Sequence, residues 1–297
     1  TNTGTATGCT VSVSATSAKV YVASFANCSD GTIIPRVRVD AATLSTGITG
    51  PKSAYSSPTI TKDTTAPVVT PGGVTTFGPL RSTTFTVNGA ATVYLVSTSV
   101  QVTDVSSITN TASNQRVTFT YTSGTTTVTG SGLLDGDYKY YAVDSYGNLS
   151  AASTGTFTYD SVAPTITLTP ASLIIGGSAS MSSNEVAFLY LVRQTVTVTT
   201  ASSITGATSA NAKGVYATNK TLSLAVSGLA NDRFYAYAID YANNVSAQSV
   251  DFVTIDNTAP AVSTVTASAD GTYIIGQTVL IDIVFDDTVT VNTTNGT

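Results

Sequence analysis

The sequence predicts an all-β chain of tandem sandwich modules. Three observations predict it: a long internal repeat, a composition rich in Thr, Ser, Val, Ala and Gly, and short apolar–polar alternations punctuated by turn residues. The repeat comes first. Asp-Thr-Thr-Ala-Pro at 63–67 returns as Asp-Ser-Val-Ala-Pro at 160–164 and as Asp-Asn-Thr-Ala-Pro at 256–260, after 97 and then 96 residues. Other landmarks keep the register: Tyr-Leu-Val at 94–96 and 190–192, Ser-Ser-Ile-Thr at 106–109 and 202–205, and Tyr-Ala-Val-Asp at 141–144 against Tyr-Ala-Ile-Asp at 237–240. The chain therefore divides into 1–62, full modules at 63–159 and 160–255, and the start of a further module at 256–297.

Composition selects the module type. Charged residues make up 10% of the chain, Trp and His are absent, and Glu185 is the only Glu, so good helix formers are scarce and helices should be few and short. β-Branched residues fit a pleated, half-buried surface. Strand-like alternation runs through 84–87, 116–121, 195–198 and 222–226. Short strands at roughly ten-residue spacing, in modules of this length, predict a seven-strand sandwich.

Specific residues then carry a resemblance. Leu133 to Ser150, with Asp135, Gly136, Tyr138, Tyr140, Asp144, Gly147 and Asn148, resembles the late hairpin of the bacterial immunoglobulin-like repeats found in adhesins, S-layer proteins and other cell-surface proteins. The second copy, from Leu229 to Ser246, is looser: Phe234 stands where Tyr138 could form a hydroxyl-bonded tyrosine corner, which removes that bond. The segment from Ala269 through Val289 is similar to the opening strands of another such repeat. The resemblance implies tandem immunoglobulin-like β-sandwich modules in an extended array, at the cell surface or secreted.

The chain starts at Thr1 without Met or a signal-peptide pattern and stops partway into a module, which predicts a fragment or a processed product. A half-module leaves strand edges and an apolar face open, to be completed by further chain or by a strand from a neighbouring subunit. Residues 1–62 lie outside the repeat, as a small cap or the tail of another module, and hold both cysteines. Strand-like stretches at 19–23 and 33–39 surround Cys9 and Cys28. A disulfide between them in an oxidising compartment would contribute about 3 kcal/mol. Two thiols in a chain without His make a poor metal site.

Several function classes drop out. A net charge of −5 with no Lys/Arg cluster argues against nucleic acid, since Arg36 and Arg38 are merely alternate positions on one strand. No apolar run approaches the length of a membrane-spanning helix. Without His, and with the cysteines paired, the usual general bases and activated nucleophiles are missing, so no enzymatic activity is expected. The carboxylate pairs Asp135/Asp137 and Asp286/Asp287 fall in turns, where Asp is ordinary. The Asn-x-Ser/Thr sequons at Asn27, Asn148, Asn219, Asn244 and Asn292 carry no weight in a chain this rich in Ser and Thr.

Calcium at the module junctions is the one candidate site; no cofactor is otherwise required. A hard cation takes six to eight oxygens. At one junction Asp144, Asn148 and Asp160 could converge with Asn184 and Glu185; at the next, Asp240, Asn243, Asn244 and Asp256 with Asp286 or Asp287. The alternative is turn chemistry: Gly147 or Asn148 takes positive φ, and each junction Asp bonds local backbone amides. The junction prolines restrict the linkers in either case.

Three functions follow: a structural surface protein such as an S-layer, sheath or filament subunit that self-associates; the stalk of an adhesin; or a carbohydrate- or ligand-binding module. Tyr138, Tyr140 and Tyr141 are the aromatics available to the third, although alternate positions on a strand must also feed the core.

Overall fold

The computed structural model describes residues 1–51, 53–56, 58–267 and 271–292. The chain forms two compact units, Thr1–Val162 and Ala163–Thr297. The described residues are almost entirely strand, turn and loop, with two five-residue helices, Val105–Thr109 and Ala201–Thr205.

In the first unit a sandwich is built from two sheets. One has the order Thr126–Val128, Thr83–Val87, Val69–Gly72; the other Thr76–Phe77, Phe157–Tyr159, Gly136–Val143, Ala91–Ser97, Arg116–Tyr121. All pairs are antiparallel except Thr76–Phe77 with Phe157–Tyr159. The second unit repeats this arrangement. Ile166–Leu168, Ser178–Ser183 and Thr221–Ala225 form one sheet; Ala171–Leu173, Phe252–Ile255, Asp232–Ile239, Ala187–Arg193 and Ala212–Ala217 form the other. Two facing antiparallel sheets over one apolar layer define an immunoglobulin-like β-sandwich.

Each sandwich has eight strands where seven were expected. The extra one arises because the first strand changes sheet: Gly73, at φ +74°, lets the chain cross after Gly72, and Pro170 interrupts the ladder after Leu168 in the second copy. Two other sequence expectations need correction. The Thr-Val-Thr-Val run at 195–198 is not a strand; the chain turns after Arg193, and Val196 and Val198 pack on Val192, Ile204 and Ile239 beside the second helix. Alternation only requires one side to be apolar, and here a satellite core supplies the partner, with no neighbouring strand. The stretch at 33–39 breaks at Pro35 into Gly31–Ile33 and Arg36–Val37, because proline cannot donate to a ladder. The Ser-Ser-Ile-Thr landmarks are the two helices. Asp104 caps the first by accepting from Ser107 N at 2.7 Å, and Ile108 and Ile204 are buried beneath them.

The two cores use different chemistry on one topology. The first is aromatic: Phe85 contacts Phe119, Tyr121 and Tyr140 at centroid distances of 5.2–5.9 Å, and Phe77 packs on Tyr159 at 5.3 Å. At the equivalent positions, 96 residues on, the second core places Leu173, Met181, Ala217, Ala236 and Ile255. Gly130 belongs to this exchange. A Cβ there would lie 2.3 Å from the Tyr159 ring and 2.8 Å from Phe77, whereas the second module carries Val226.

Tyr138 is fully buried and its hydroxyl donates to Leu134 O at 2.7 Å, four residues upstream, in the manner of a tyrosine corner. Phe234 fills the same place without that bond. The Tyr140 hydroxyl, by contrast, is buried without a well-formed hydrogen bond. The two phenols should therefore respond oppositely to removal of the oxygen. Tyr138→Phe loses the bond to the Leu134 carbonyl and should cost about 1 kcal/mol, while Tyr140→Phe should be neutral or stabilising. Denaturant titration of both variants reads this directly, and equal losses would contradict the assignment.

The described strands of residues 1–62 pair in twos: Thr10–Ser17 with Val20–Ala26, Gly31–Ile33 with Ile60–Lys62, Arg36–Val37 with Tyr55–Ser56, and Ala42–Thr43 with Thr49–Gly50. The Cys9–Cys28 disulfide sits beside a small core of Ala6, Cys28 and Ile33. Asp30 ties this segment to the following linker, accepting from Thr64 N, Thr64 Oγ1 and Thr65 Oγ1 at 2.8–3.0 Å. Those bonds hold its carboxyl below the usual carboxylate value. In the second unit, Val262–Ala267 and Ile281–Phe285 form a further two-stranded hairpin. Of the segment compared with another repeat, Ala269 and Asp270 lie outside the described residues.

Candidate functional site

The Asp-Asn loops after Gly136–Val143 and Asp232–Ile239 are the sites singled out by sequence, and each is closed by its own hydrogen bonds. Asp144 Oδ1 accepts from Tyr146 N and Asn148 N at 2.8 and 2.9 Å; its Oδ2 accepts from Asn148 Nδ2 at 2.8 Å. Gly147 takes φ +89°. In the second copy Asp240 Oδ1 accepts from Asn244 N at 2.9 Å and Oδ2 from Asn244 Nδ2 at 2.8 Å, with Asn243 at φ +67° in the place of Gly147. Burial works against ionisation of Asp144, but the donors from Asn148, Tyr146 and Gly147 outweigh it and hold the carboxyl below its ordinary value. Asn148 Nδ2 also donates to Asp63 O at 3.2 Å, so the loop grips the linker that leads into its own module. With their side-chain amides committed and Asn244 buried, these two sequons are structural.

The junction aspartates behave alike. Asp63 Oδ1 accepts from Thr65 N, Asp160 Oδ1 from Val162 N and Asp256 Oδ1 from Thr258 N, at 2.9, 3.0 and 2.9 Å. Each is an Asx turn that fixes the approach to the junction proline. Bonds from the Thr258 backbone and side chain keep the Asp256 carboxyl low. Asn184 holds Thr165 N at 2.7 Å, as Asn88 holds Val68 N at 2.8 Å. Two sets of acidic residues are brought together in the second unit. The carboxylates of Glu185 and buried Asp240 lie within 4.8 Å of one another. Asp256, Asp286 and Asp287 line a cleft of about 320 Å³, where Asp286 accepts from Ala261 N and Asp287 from Thr288 N. The remaining pair is divided between separate partners, Asp135 taking Ser161 N and Asp137 taking Thr158 Oγ1.

Two groups of residues gain their roles only in the folded chain. Phe157–Tyr159 is too short to cover all of Gly136–Val143, and Ser150 and Ser153 finish the ladder by accepting from Ala142 N and Tyr140 N; Ser246 and Ser249 do the same for Ala238 N and Ala236 N. Only their recurrence at the repeat spacing marked them. The second group is aromatic. Tyr138 and Tyr140 are fully buried and Tyr141 is half-buried, so they make no binding platform. One cluster of partly exposed aromatics is Phe188, Tyr216 and Tyr241, with centroids 5.0–6.4 Å apart. Their counterparts in the first module are Thr92, Thr120 and Ser145.

Sheet order and turn chemistry place the chain among proteins built from immunoglobulin-like β-sandwich repeats. No family model and no curated protein matches the sequence. Among solved structures it is similar to the fibronectin(III)-like modules of Clostridium thermocellum CbhA, at 14% identity over 64% of this chain and 94% of that one, with a TM-score of 0.29. It is also similar to the chicken CNTN1 FN1-FN3 domains, at 13% identity over 84% and 98%, TM-score 0.32. A third is the BSP domain of a biofilm associated protein, at 12% identity over 64% of this chain and 30% of that one, TM-score 0.22. Likeness at this level bears on neither activity nor partner, and the fold class rests on the topology itself.

Proposed function

We propose that this chain is a non-enzymatic structural part of an extracellular, cell-surface protein of the S-layer, sheath or filament type, with modules at 63–159 and 160–255 and another beginning at 256. The observation that carries the reading is the repeated commitment of its Asp and Asn side chains. In both modules Asp and Asn side chains close the same loop and fix the same linker. Side chains committed in this way serve to hold the chain's own turns and linkers. The disulfide fits an oxidising compartment. Antibody labelling and protease shaving of intact source cells test the location, and recovery of the protein solely from the cytosol would end this reading. The stalk of an adhesin shares these features; a separate binding domain in the same polypeptide distinguishes it.

These loops need no calcium in this reading, because the Asp144 carboxylate already receives three oriented donors. A chelator should leave the melting temperature unchanged, whereas a drop of several degrees would assign a cation to the acidic residues at the junctions. Acid should act where the chelator does not. Asp144 and Asp256 titrate lower in the folded chain than in the unfolded one, so their contribution is fully present above the ordinary carboxylate value, near pH 4, and is lost as pH falls below it.

The Phe188, Tyr216 and Tyr241 cluster favours a second reading, a surface that stacks on sugar rings. Glycan-array binding that disappears in Tyr241→Ala would establish it, and an array without signal would dismiss it.

A further inference from the structure

The second sandwich carries two phenols near its surface that the first lacks. Tyr216 lies near the end of the edge strand Ala212–Ala217, and Tyr241 sits in the Asp-Asn loop that follows Asp232–Ile239. The residues 96 positions earlier are Thr120 and Ser145, so the fold is built without either ring. The two rings meet at a centroid distance of 5.4 Å, tilted by 54°, and both pack on Phe188, at 5.0 and 6.4 Å. Their hydroxyls are hydrogen-bonded to each other, and that bond, ahead of burial, raises the Tyr216 phenol above its ordinary value. The loop that presents Tyr241 is fixed by the bonds between Asp240 and Asn244. Tyr241 is 46% exposed, open to small oxidants in solution. The other tyrosine pair in ring contact among the described residues, Tyr138 with Tyr159, is sealed inside the first core.

Two phenols held oxygen to oxygen and ring beside ring are arranged for oxidative coupling, because a bond between the hydroxyls also draws together the ring carbons next to them. We propose that Tyr216 and Tyr241 form an intramolecular dityrosine cross-link when a peroxide-driven one-electron oxidant acts on the folded chain. Each ring gives up one electron and its phenolic proton. The two phenoxyl radicals then join through the carbons ortho to their oxygens, and each joined carbon loses its hydrogen as a proton while a proton returns to the oxygen. In sum one C–C bond replaces two C–H bonds, and the two electrons and two protons released reduce one hydrogen peroxide to two waters. Reactants already in place couple in preference to those that must meet between chains. The link would tie Ala212–Ala217, a strand with a neighbour on one side only, to the loop after Asp232–Ile239, two strands away in the same sheet. This goes beyond the structural reading given above and depends on neither it nor the sugar-stacking one.

Oxidation of the purified 297-residue chain tests it, with hydrogen peroxide, a haem peroxidase, and free N-acetyltyrosinamide in the same tube to gauge the oxidant. Once the free tyrosine has coupled, peptide mapping by mass spectrometry should find the peptides holding Tyr216 and Tyr241 joined and lighter by two hydrogens. The yield of that link in monomeric chain should be at least about tenfold above that of any other tyrosine pair. Tyr216→Phe and Tyr241→Phe keep both rings and should each abolish the blue dityrosine fluorescence of the monomer. Tyr146→Phe, which removes a phenol from a residue 54% exposed in the first sandwich, should leave it unchanged. Hydrogen exchange at 212–217 should slow severalfold in the linked chain. Coupled free tyrosine without the 216–241 link overturns the proposal, as does an equal yield from the chain unfolded in urea, and unchanged exchange overturns the pinning of the edge strand. None of these results alters surface labelling or the glycan array, which judge the other readings separately.

Discussion

Gly130→Val should destabilise the first sandwich by about 2–3 kcal/mol, the cost of overpacking a closed core, and lower its melting temperature by about 10 °C or more. Gly130 does not take a positive φ, so the penalty is one of space: an added Cβ lies 2.3 and 2.5 Å from two carbons of the Tyr159 ring and 2.8 Å from Phe77. Tyr159 is held by Phe77 and by the edge of Tyr138, and cannot swing away without breaking that cluster. The second sandwich gives the remedy, since it packs Val226 against Leu173 and Ile255 in the same places. Gly130→Val combined with Phe77→Leu and Tyr159→Ile should recover most of the loss, although neither part alone is neutral. Hydrogen exchange on the full chain reads the first sandwich, with the strands of the second as internal control. A valine at 130 that costs nothing, or a triple variant no better than the single, would mean the two cores are not alternative solutions to one packing problem.

Reducing the Cys9–Cys28 disulfide should release residues 1–62 from their native arrangement while both sandwiches stay folded. The bond joins positions 19 apart, and closing a loop of that length contributes about 3 kcal/mol. The segment has little else of that size. Its described strands pair in twos, and among its described residues the buried apolar ones are Ala6, Cys28 and Ile33, with Phe25 partly covered. Cys28 is itself a member of that core, so Cys28→Ser loses the bond and leaves a hydroxyl in its place. Limited proteolysis with and without reductant should show new cleavage before residue 63 and none within 69–159 or 166–255. An unchanged digestion pattern would show that the segment is stabilised by something other than its disulfide.

The repeat and its turn residues were legible because they depend on local chemistry. Asp63, Asp160 and Asp256 bond amides two residues on, Gly147 and Asn243 take positive φ within the same loop, and the alternation at 116–121 and 222–226 follows the pleat. The valines at 195–198 misled because alternation reports an apolar side and is silent about whether a strand lies alongside. Tyr138, Tyr140 and Tyr141 were equally ambiguous, since a strand buried on one face and half-covered on the other hides its assignment from composition. Pairing is non-local: Ser153 reaches the Tyr140 amide, and Asn148 reaches Asp63, only after the chain has closed on itself.

By itself the sequence determined an all-β chain, its module period, its low charge and the turn chemistry at each junction, because strand preference and Asx turns are settled within a few residues. The tertiary structure decided the rest. It split the first strand of each sandwich between two sheets, filled one core with rings and the other with aliphatic side chains, and placed Gly130 against Tyr159. It also paired Thr10–Ser17 with Val20–Ala26 and Val262–Ala267 with Ile281–Phe285, bringing apolar residues of separate strands side by side. Those outcomes depend on which distant residues share a volume, and a volume is shared only once the sheets have packed.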